Sequence, residues 1–304
     1  MQYPSKHLSM SQFGMYRRCG QQFLLRYVEG IVSPPGFALL RGQNFHKTRD
    51  FQLSHKLEHS ALPPEQDALD HARDVSVKTI EQQEIDYEGI DKKKFRDTLI
   101  DSSVVLTRLD RAAYLEEIVP KYVEEQITLE ISELPVPVIG YVDCFTVDGA
   151  LDDAKTTAAY SPPKADAVKH SEQLIMYSLM LMQAGEHVTR RELHYLWTPY
   201  RTLRNLPEGA VKINSLPDLT NFDGKSGPVI AVPIVETEPV TRDEATTLIR
   251  RMAAMADSVE REIFLPCDPE HWACSPKYCG YYDLKYSNGK HVCPYAYRDW
   301  RPTS

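Results

Sequence analysis

The stretch Gly140–Lys155, GYVDCFTVDGALDDAK, has the pattern of a β-hairpin that carries acidic side chains. Its central Asp-Gly pair favours a tight turn between two short strands. Asp153 and Lys155 lie two residues apart on the second strand, so their side chains project from the same face. Asp143 adds a second carboxylate from the first strand. Carboxylates held close together repel one another unless they share a cation, and oxygen ligands favour Mg²⁺ or Mn²⁺, so the hairpin predicts a divalent metal site.

The composition is that of an ordinary soluble protein. The chain has 304 residues, of which 42% are hydrophobic and 26% charged, enough for one large domain. No apolar run is long enough to span a bilayer, and the N-terminal sequence lacks the apolar core of a secretory signal. These features favour a cytoplasmic protein with reduced cysteines. The net charge of −8 argues against non-specific nucleic-acid binding, so a nucleic-acid function must rest on motifs.

The segments before the hairpin are mainly helical in pattern. A Ser-x-x-Gln capping box at Ser9 predicts an aromatic-rich helix over residues 9–28. A second helix is expected from Phe37 towards Leu57, and mixed apolar and charged residues predict a helical insert over 60–118. Alternating apolar residues near 127–131 then predict a strand.

The segments after the hairpin alternate between helix and strand. The pattern predicts a helix over 161–184, strands over 190–198 and 229–235, and a helix over 241–263 that opens with a second capping box. Residues 200–227 are rich in Pro, Gly and Asn and predict an irregular loop. The last forty residues are rich in cysteine and aromatic residues and show little periodicity.

Four short motifs occur in order along the chain: Gly42-x-x-x-His46, Gly140-x-x-Asp143, Asp153-x-Lys155 and Gln173-x-x-x-Tyr177. This order resembles the RecB-like branch of the PD-(D/E)XK nucleases, and the SxSQFxxYxxC pattern of the first helix resembles that branch's N-terminal signature. The resemblance covers residues 9 to 300. It implies an α/β, restriction-endonuclease-like core, in which helices flank a mixed central sheet. It further implies a single nuclease domain over 1–304, in which a cysteine-rich cap, 264–304, pairs with 9–28.

The resemblance implies a metal site for phosphodiester hydrolysis, a reaction in which metal ions can polarise the phosphate, activate water and stabilise the leaving oxygen. Asp143 and Asp153 would be the carboxylate ligands. His46 would add a ligand, and the Ala154 carbonyl would complete the shell. Glu130, at the end of the preceding strand, is a weaker candidate for an outer carboxylate.

The remaining motif residues would act beside the metal. Lys155 would hold the attacking water and stabilise charge on the phosphate. Gln173 and Tyr177 share one helix face, which in this branch helps to hold the lysine and the DNA. Taken singly, each motif also has an ordinary interpretation: a surface histidine, an exposed strand end at Asp152 and Asp153, or the polar edge of an amphipathic helix.

A second histidine pair, His55-x-x-x-His59, has a spacing that could hold a metal on a helix. It has no third partner in the sequence, so a solvated helix face is the better interpretation.

The cysteines form a second constellation, Cys274-x4-Cys279-x13-Cys293, with Cys19 far upstream. Relatives in the same branch, among them AddB-type and CRISPR-associated nucleases, hold a [4Fe–4S] cluster with one N-terminal and three C-terminal cysteines. The resemblance implies that Cys19, Cys274, Cys279 and Cys293 are cluster ligands that fasten the two ends of the chain together.

The long gap before Cys293 departs from that pattern. It leaves Cys267 and His291 as alternative fourth ligands, and the histidine would suit Zn²⁺ better than iron. Buried free cysteines remain the plainer alternative. Cys144 should face away from Asp143 and is interpreted as a core residue.

The function that the resemblance implies is metal-dependent cleavage of DNA by an exonuclease or at single-stranded ends, in recombination, repair or phage replication. It would act in a bacterial, archaeal or phage-infected cell. The alternatives are a non-catalytic DNA-binding scaffold and a hydrolase of small phosphoesters. The basic residues that could follow the DNA are Arg17, Arg18, Arg41, Lys47, Arg49, Lys164 and Lys169, with aromatic residues that could stack on unpaired bases.

Overall fold

The computed structural model describes residues 2–157, 171–197, 211–213, 229–231, 234–276 and 278–296. The chain divides into two compact units. The terminal unit consists of Met1–Pro34, Thr128–Gly140 and Thr241–Ser304. The core unit consists of Pro35–Ile127 and Tyr141–Val240.

The described helices are α1 (Met10–Arg18), α2 (Gly20–Phe23), α3 (Phe37–His59), α4 (Glu65–Gln82), α5 (Lys92–Asp110), α6 (Glu172–Gln183) and α7 (Arg242–Glu260). Helices α2 and α5 continue into π-helical turns over Leu24–Val28 and Arg111–Leu115. The strands are β1 (Pro120–Leu129), β2 (Val138–Thr146), β3 (Ala150–Thr157), β4 (Arg190–Trp197), β5 (Val211–Ile213), β6 (Val229–Ala231) and β7 (Val235–Thr237). Within the described residues, no helix is both long enough and apolar enough to cross a bilayer.

The strands form one mixed sheet in the order β1-β2-β3-β4-β6-β5, and β7 also pairs with β4. Strands β2 and β3 are the predicted antiparallel hairpin, in which Cys144 lies opposite Asp152. Strand β4 runs parallel to β3, while β6 and β7 pair antiparallel with β4. Helices α3, α5 and α6 pack on strands of this sheet. The predicted α/β architecture, a mixed sheet flanked by helices, is confirmed.

The face of the hairpin that carries Cys144 and Ala154 belongs to the main apolar cluster of the core unit. Both side chains are fully buried among residues such as Phe45, Leu53 and Leu106. Burying each of the larger side chains contributes about 1.5–3 kcal/mol. Cys144 is therefore a core residue, as its place in the alternation indicates.

The predicted helical insert contains α4 and α5, which join α3 along a seam of small polar side chains. The Ser76 hydroxyl donates to the Ser103 hydroxyl at 2.9 Å, and the Asn44 amide donates to the Ser76 oxygen at 3.2 Å. These groups are buried and hydrogen-bonded to one another, so the seam holds polar atoms without leaving them unpaired.

The terminal unit brings the two ends of the chain together. Gly20 N–H donates to the Leu265 carbonyl at 2.8 Å, and a Cβ on Gly20 would lie 2.7 Å from that oxygen, so no other residue fits there without a shift. The Tyr16 hydroxyl donates to the Ile263 carbonyl at 2.7 Å. Contacts of this kind join residues 9–28 to the start of the C-terminal segment.

Three predicted elements differ from those observed. The first helix is broken at Cys19, whose extended backbone (φ −164°) separates α1 from α2, because Gly20 is bonded to Leu265 there. The segment read as an irregular loop contains strand β5, and the strand over 229–235 is two short strands. The predicted helix over 161–184 lies partly outside the described residues; its described part, α6, begins after Ser171, whose hydroxyl accepts from the Leu174 N–H.

Candidate active site

The hairpin brings two buried carboxyl groups together on the face opposite the core. Because Cys144 lies opposite Asp152, the same antiparallel register sets Asp143 opposite Asp153. Asp153 is fully buried and Asp143 is 8% exposed. The Oδ2 atom of each has no hydrogen-bond partner. Buried carboxylate oxygens without partners are costly, so this pair calls for a cation.

The charge state of Asp143 reflects this arrangement. Burial raises the pKa of Asp143 well above its usual range, and the Asp153 carboxylate raises it further. In the absence of a cation the two groups are therefore expected to retain a proton between them. A bound divalent ion would displace that proton.

Lys155 lies beside the pair as the sequence predicts. Its Nζ is 2.8 Å from Asp153 Oδ1 and donates to Gln173 Oε1 at 3.2 Å. Burial by itself would lower the pKa of Lys155, but Asp153 and Asp143 outweigh it and the net shift is upward. Lys155 is therefore a charged ammonium near neutral pH, suited to binding negative charge and unsuited to accepting a proton.

Helix α6 supports this lysine. The Gln173 amide contacts Asp153 Oδ1 at 3.4 Å and the Tyr177 hydroxyl at 3.2 Å. Burial raises the pKa of Tyr177, so its phenol is neutral. The structure thus brings Gln173 and Tyr177 into one hydrogen-bonded group with Lys155 and Asp153.

His46 on α3 lies on the other side of Asp143. Its Nδ1 is 3.4 Å from Asp143 Oδ2. Ligand atoms of His46, Glu124 and Asp143 all lie within 4.8 Å of one another, close enough to hold one metal ion. Burial, and then the charge of Lys155, lower the pKa of His46 to about 4. The imidazole is therefore neutral near pH 7 and has a lone pair for a metal.

Glu124 is the carboxylate of β1 that reaches this group, rather than Glu130. Glu130 follows the end of β1, is exposed and belongs to the terminal unit. Glu124 has a left-handed backbone (φ 48°), which interrupts the alternation of side chains along the strand. A strict two-residue period therefore could not identify it. The adjacent acidic pair Glu124-Glu125 was the only signal in the sequence.

Asp50 extends the row of carboxyl groups beyond Glu124. It lies one helical turn after His46 on α3, and its carboxyl hydrogen-bonds to that of Glu124. Burial, and then Glu124, raise the pKa of Asp50 to about 8. Although Glu124 is exposed as a residue, partial burial also raises the pKa of its carboxyl. The sequence analysis missed Asp50, which has no motif spacing of its own.

The donor set fits a hard divalent cation. It consists of carboxylate oxygens and one neutral imidazole, which suit Mg²⁺ or Mn²⁺ better than a thiophilic metal. The unpartnered Oδ2 atoms of Asp143 and Asp153 are the structural observation that supports this fit. The Ala154 side chain is buried in the apolar cluster, so only its backbone carbonyl could contribute, and that contribution stays a prediction.

Asp152, next in sequence to Asp153, has a different environment. Arg49 bridges Asp152, at 2.5 Å from Nη2, to Asp110, and its Nη2 lies 3.0 Å from His194 Nδ1. All four side chains are buried. Arg49 is therefore a structural ion-pair partner, and its assignment to a DNA track was wrong. Asp152 and Asp153 are not an exposed strand end.

The other basic residues have mixed outcomes. Arg41 is 8% exposed, which argues against contact with a DNA backbone, whereas Lys47 is exposed. Lys164 and Lys169 lie outside the described residues. His55 and His59 stack at 4.2 Å on the surface of α3, consistent with a solvated helix face.

Five of the six cysteines are in the terminal unit. The Cys267 thiol hydrogen-bonds to those of Cys19 and Cys274, and its backbone N–H donates to Cys19 Sγ at 3.3 Å. Burial, and then Cys19, raise the pKa of Cys267 to about 12. Cys279 and Cys293 are buried in an apolar cluster with residues such as Tyr281. Cys267 thus lies among the predicted ligands.

The geometry agrees with the family comparison. The model of the PD-(D/E)XK nuclease superfamily matches residues 7–284. The chain belongs to the PD-(D/E)XK nuclease superfamily. The fold is also similar to a crystal structure from Eubacterium rectale of a protein classed, by inference only, as an exonuclease: the TM-score is 0.52 and the identity 14%, over 88% of this chain and 87% of the other. No protein of curated function matches the chain at a significant level.

Proposed function

We propose that this member of the PD-(D/E)XK nuclease superfamily hydrolyses DNA phosphodiester bonds with Mg²⁺ or Mn²⁺, as an exonuclease or at single-stranded ends. The observation that carries the proposal is the buried Asp143–Asp153 pair, with its unpartnered oxygens, beside the charged Lys155. The same side chains in an inert scaffold would destabilise the fold without a return.

The roles follow from charge and position. Asp143 and Asp153 would hold the cation, with neutral His46 and Glu124 on the other side of Asp143. When bound, the cation would polarise the phosphate and promote attack by water. Lys155 remains charged, so it would bind the attacking water or a phosphate oxygen by donating hydrogen bonds.

Gln173 would fix the position of Lys155, since its Oε1 accepts from Nζ while its amide contacts Asp153 and Tyr177. The neutral Tyr177 phenol would hold Gln173 in that orientation. The Ala154 carbonyl completes the proposed ligand shell.

DNA is the proposed substrate on the basis of the family and of the exonuclease classification of the similar fold. A role in recombination, repair or phage replication, in the cytoplasm, belongs to the same proposal. The proposal treats the chain as one nuclease domain, with 60–118 as an insert and 264–304 as a cap on 9–28.

We further propose that Cys19, Cys274, Cys279 and Cys293 hold a [4Fe–4S] cluster, with Zn²⁺ as the alternative. The contacts among Cys19, Cys267 and Cys274 support a shared ligand, and make Cys267 the replacement if one of the four does not bind. Iron and sulfide analysis, with visible absorption, of anaerobically purified protein tests this. Stoichiometric zinc in a colourless preparation would contradict the cluster.

The activity test uses end-labelled single- and double-stranded DNA with Mn²⁺, comparing wild type with Asp153→Ala. We expect cleavage by the wild type, its loss with a chelator, and its loss in the variant. A chromogenic phosphomonoester distinguishes a small-phosphoester hydrolase. DNA binding without metal-dependent cleavage would favour the non-catalytic scaffold, and full activity of Asp153→Ala would contradict the proposed site.

A further inference from the structure

The terminal unit contains two adjoining cavities beside helix α1. Their volumes are about 430 and 480 Å³, and they share Arg17, Arg18 and Cys267 as lining residues. The first is also lined by Phe13 and Arg251, and the second by His271 and Trp272, among others. Cavities of this size accept a small ligand or one nucleotide unit of a longer chain.

Trp272 is the unusual member of this lining. It is 59% exposed, although burying an indole is normally favourable. Its ring contacts Tyr278 edge-on, with ring centres 5.1 Å apart, and His271 at 5.3 Å. Neighbouring rings therefore restrain the indole while much of its surface stays open to solvent. An exposed aromatic ring held in this way is typical of a surface that stacks on a planar ligand.

The same lining is positively charged. Arg17 and Arg251 place their guanidinium groups 5.5 and 5.8 Å from the centre of the Phe13 ring. The Arg18 Nε donates to Gln22 Oε1 at 3.1 Å. These contacts hold the arginine side chains in place and reduce the entropy lost when they bind an anion.

One carboxylate also lines the second cavity. Asp268 accepts a hydrogen bond from the Glu270 N–H at 2.7 Å. The three arginines outnumber it, in a chain whose net charge is −8. The cavities are thus a local cationic site on an acidic protein, and an anion with a planar aromatic part complements them.

We propose that these cavities bind an unpaired nucleotide of single-stranded DNA, with the base stacked on Trp272 and the phosphate bound by Arg17 and Arg18. A base inside a duplex has no free face for stacking, so the site would select unpaired strands. This inference rests on the proposed function and names the strand state that the protein prefers.

The test measures the anisotropy of a labelled oligo(dT) and of a blunt duplex, with full-length protein purified with its metals and with chelator present to prevent cleavage. We expect Trp272→Ala to bind oligo(dT) about tenfold more weakly and the duplex within twofold of wild type. Trp272→Phe should retain most of the affinity because it keeps an aromatic face. Tyr286→Ala is the matched control, since Tyr286 is 43% exposed in the same unit and does not line either cavity.

The double variant Arg17→Ala/Arg18→Ala should weaken binding to oligo(dT) and reduce its salt dependence by one to two contacts, roughly 0.7 in slope for each. Equal affinities of Trp272→Ala and Tyr286→Ala for oligo(dT) would overturn the inference, as would an equal loss on duplex. If wild type cleaves DNA while Trp272→Ala binds normally, only this inference fails. A wild type that neither binds nor cleaves DNA overturns the proposed function as well.

Discussion

Asp152 and Asp153 are consecutive residues, both are almost completely buried, and they face surroundings of opposite character. Asp152 contacts the Arg49 guanidinium and, at 3.2 Å, His194 Nδ1. Asp153 faces another carboxyl group, Asp143, and the two share the ammonium of Lys155. Burial is therefore not what distinguishes a functional carboxylate in this protein. The distinction is whether the surrounding side chains already neutralise it.

The largest expected effect comes from the uncompensated side. Asp153→Asn should lower DNA cleavage by at least ~10³-fold, about 4 kcal/mol, because the cation loses a charged ligand. The fold should persist, since the change also removes a carboxylate that lies against Asp143. Initial cleavage rates and a thermal unfolding curve measure the two effects. A variant that retains activity, or that unfolds, would remove the contrast with Asp152.

The compensated side should respond in stability. Arg49→Met leaves Asp110 and Asp152 buried without their guanidinium, which should cost about 3–5 kcal/mol of unfolding free energy. Denaturant unfolding measures the loss. Arg261→Met is the control, because Arg261 is exposed and its pair with Asp257 should contribute close to nothing. If both variants are equally stable, the Arg49 bridge is not a structural ion pair of the kind described.

A third prediction concerns pH and metal together. The folded-state pKa of Asp50 is about 8, above its unfolded value, and that of Asp143 is also raised. The metal-free fold therefore binds more protons than the unfolded chain, and its stability should fall as pH rises from about 4 to about 8. His46, with a pKa of about 4, is neutral over most of this range.

Mn²⁺ should offset that loss because it replaces the protons. At a concentration of 100 Kd it should contribute about 2.7 kcal/mol, and a fixed concentration should raise the melting temperature more at pH 8 than at pH 6. Calorimetric scans with and without metal measure this. An equal metal effect at both pH values would show that the carboxyl row is not coupled to metal binding.

The smallest effect is expected from the residue that positions the lysine. Gln173→Leu removes hydrogen bonds to Lys155 and Tyr177 and should lower the cleavage rate about tenfold, or ~1.4 kcal/mol. Metal affinity should change little, because Asp143 and Asp153 remain. Titration of Mn²⁺ by calorimetry separates the two. A large loss of metal affinity would instead make Gln173 part of the ligand site.

Much of the fold was readable because its signals are local. The turn, the two-residue spacing of Asp153 and Lys155, and the capping boxes depend on neighbours in sequence. The structure contains the hairpin, both capped helices and β4 with bounds close to those predicted. The break in the first helix was not readable, because it depends on a hydrogen bond between Gly20 and Leu265 across the chain.

The candidate site divides in the same way. The motif residues His46, Asp143, Asp153, Lys155 and Gln173 come together as predicted. Glu124 and Asp50 were missed, since one depends on a left-handed residue within β1 and the other on the packing of α3 against that strand. Arg49 was misassigned because an arginine has the same appearance in a sequence whether it faces solvent or two buried aspartates.

The sequence by itself determined the hairpin, the order of the motifs and hence the family, because these depend on residue type, spacing and alternation. Only the tertiary structure decided which acidic residues are neutralised and which remain available to a cation. That property depends on what each side chain faces after packing, over distances at which buried charges interact strongly. Asp152 and Asp153 carry the same carboxyl group one residue apart, and only the fold gives one of them Arg49 and the other Asp143.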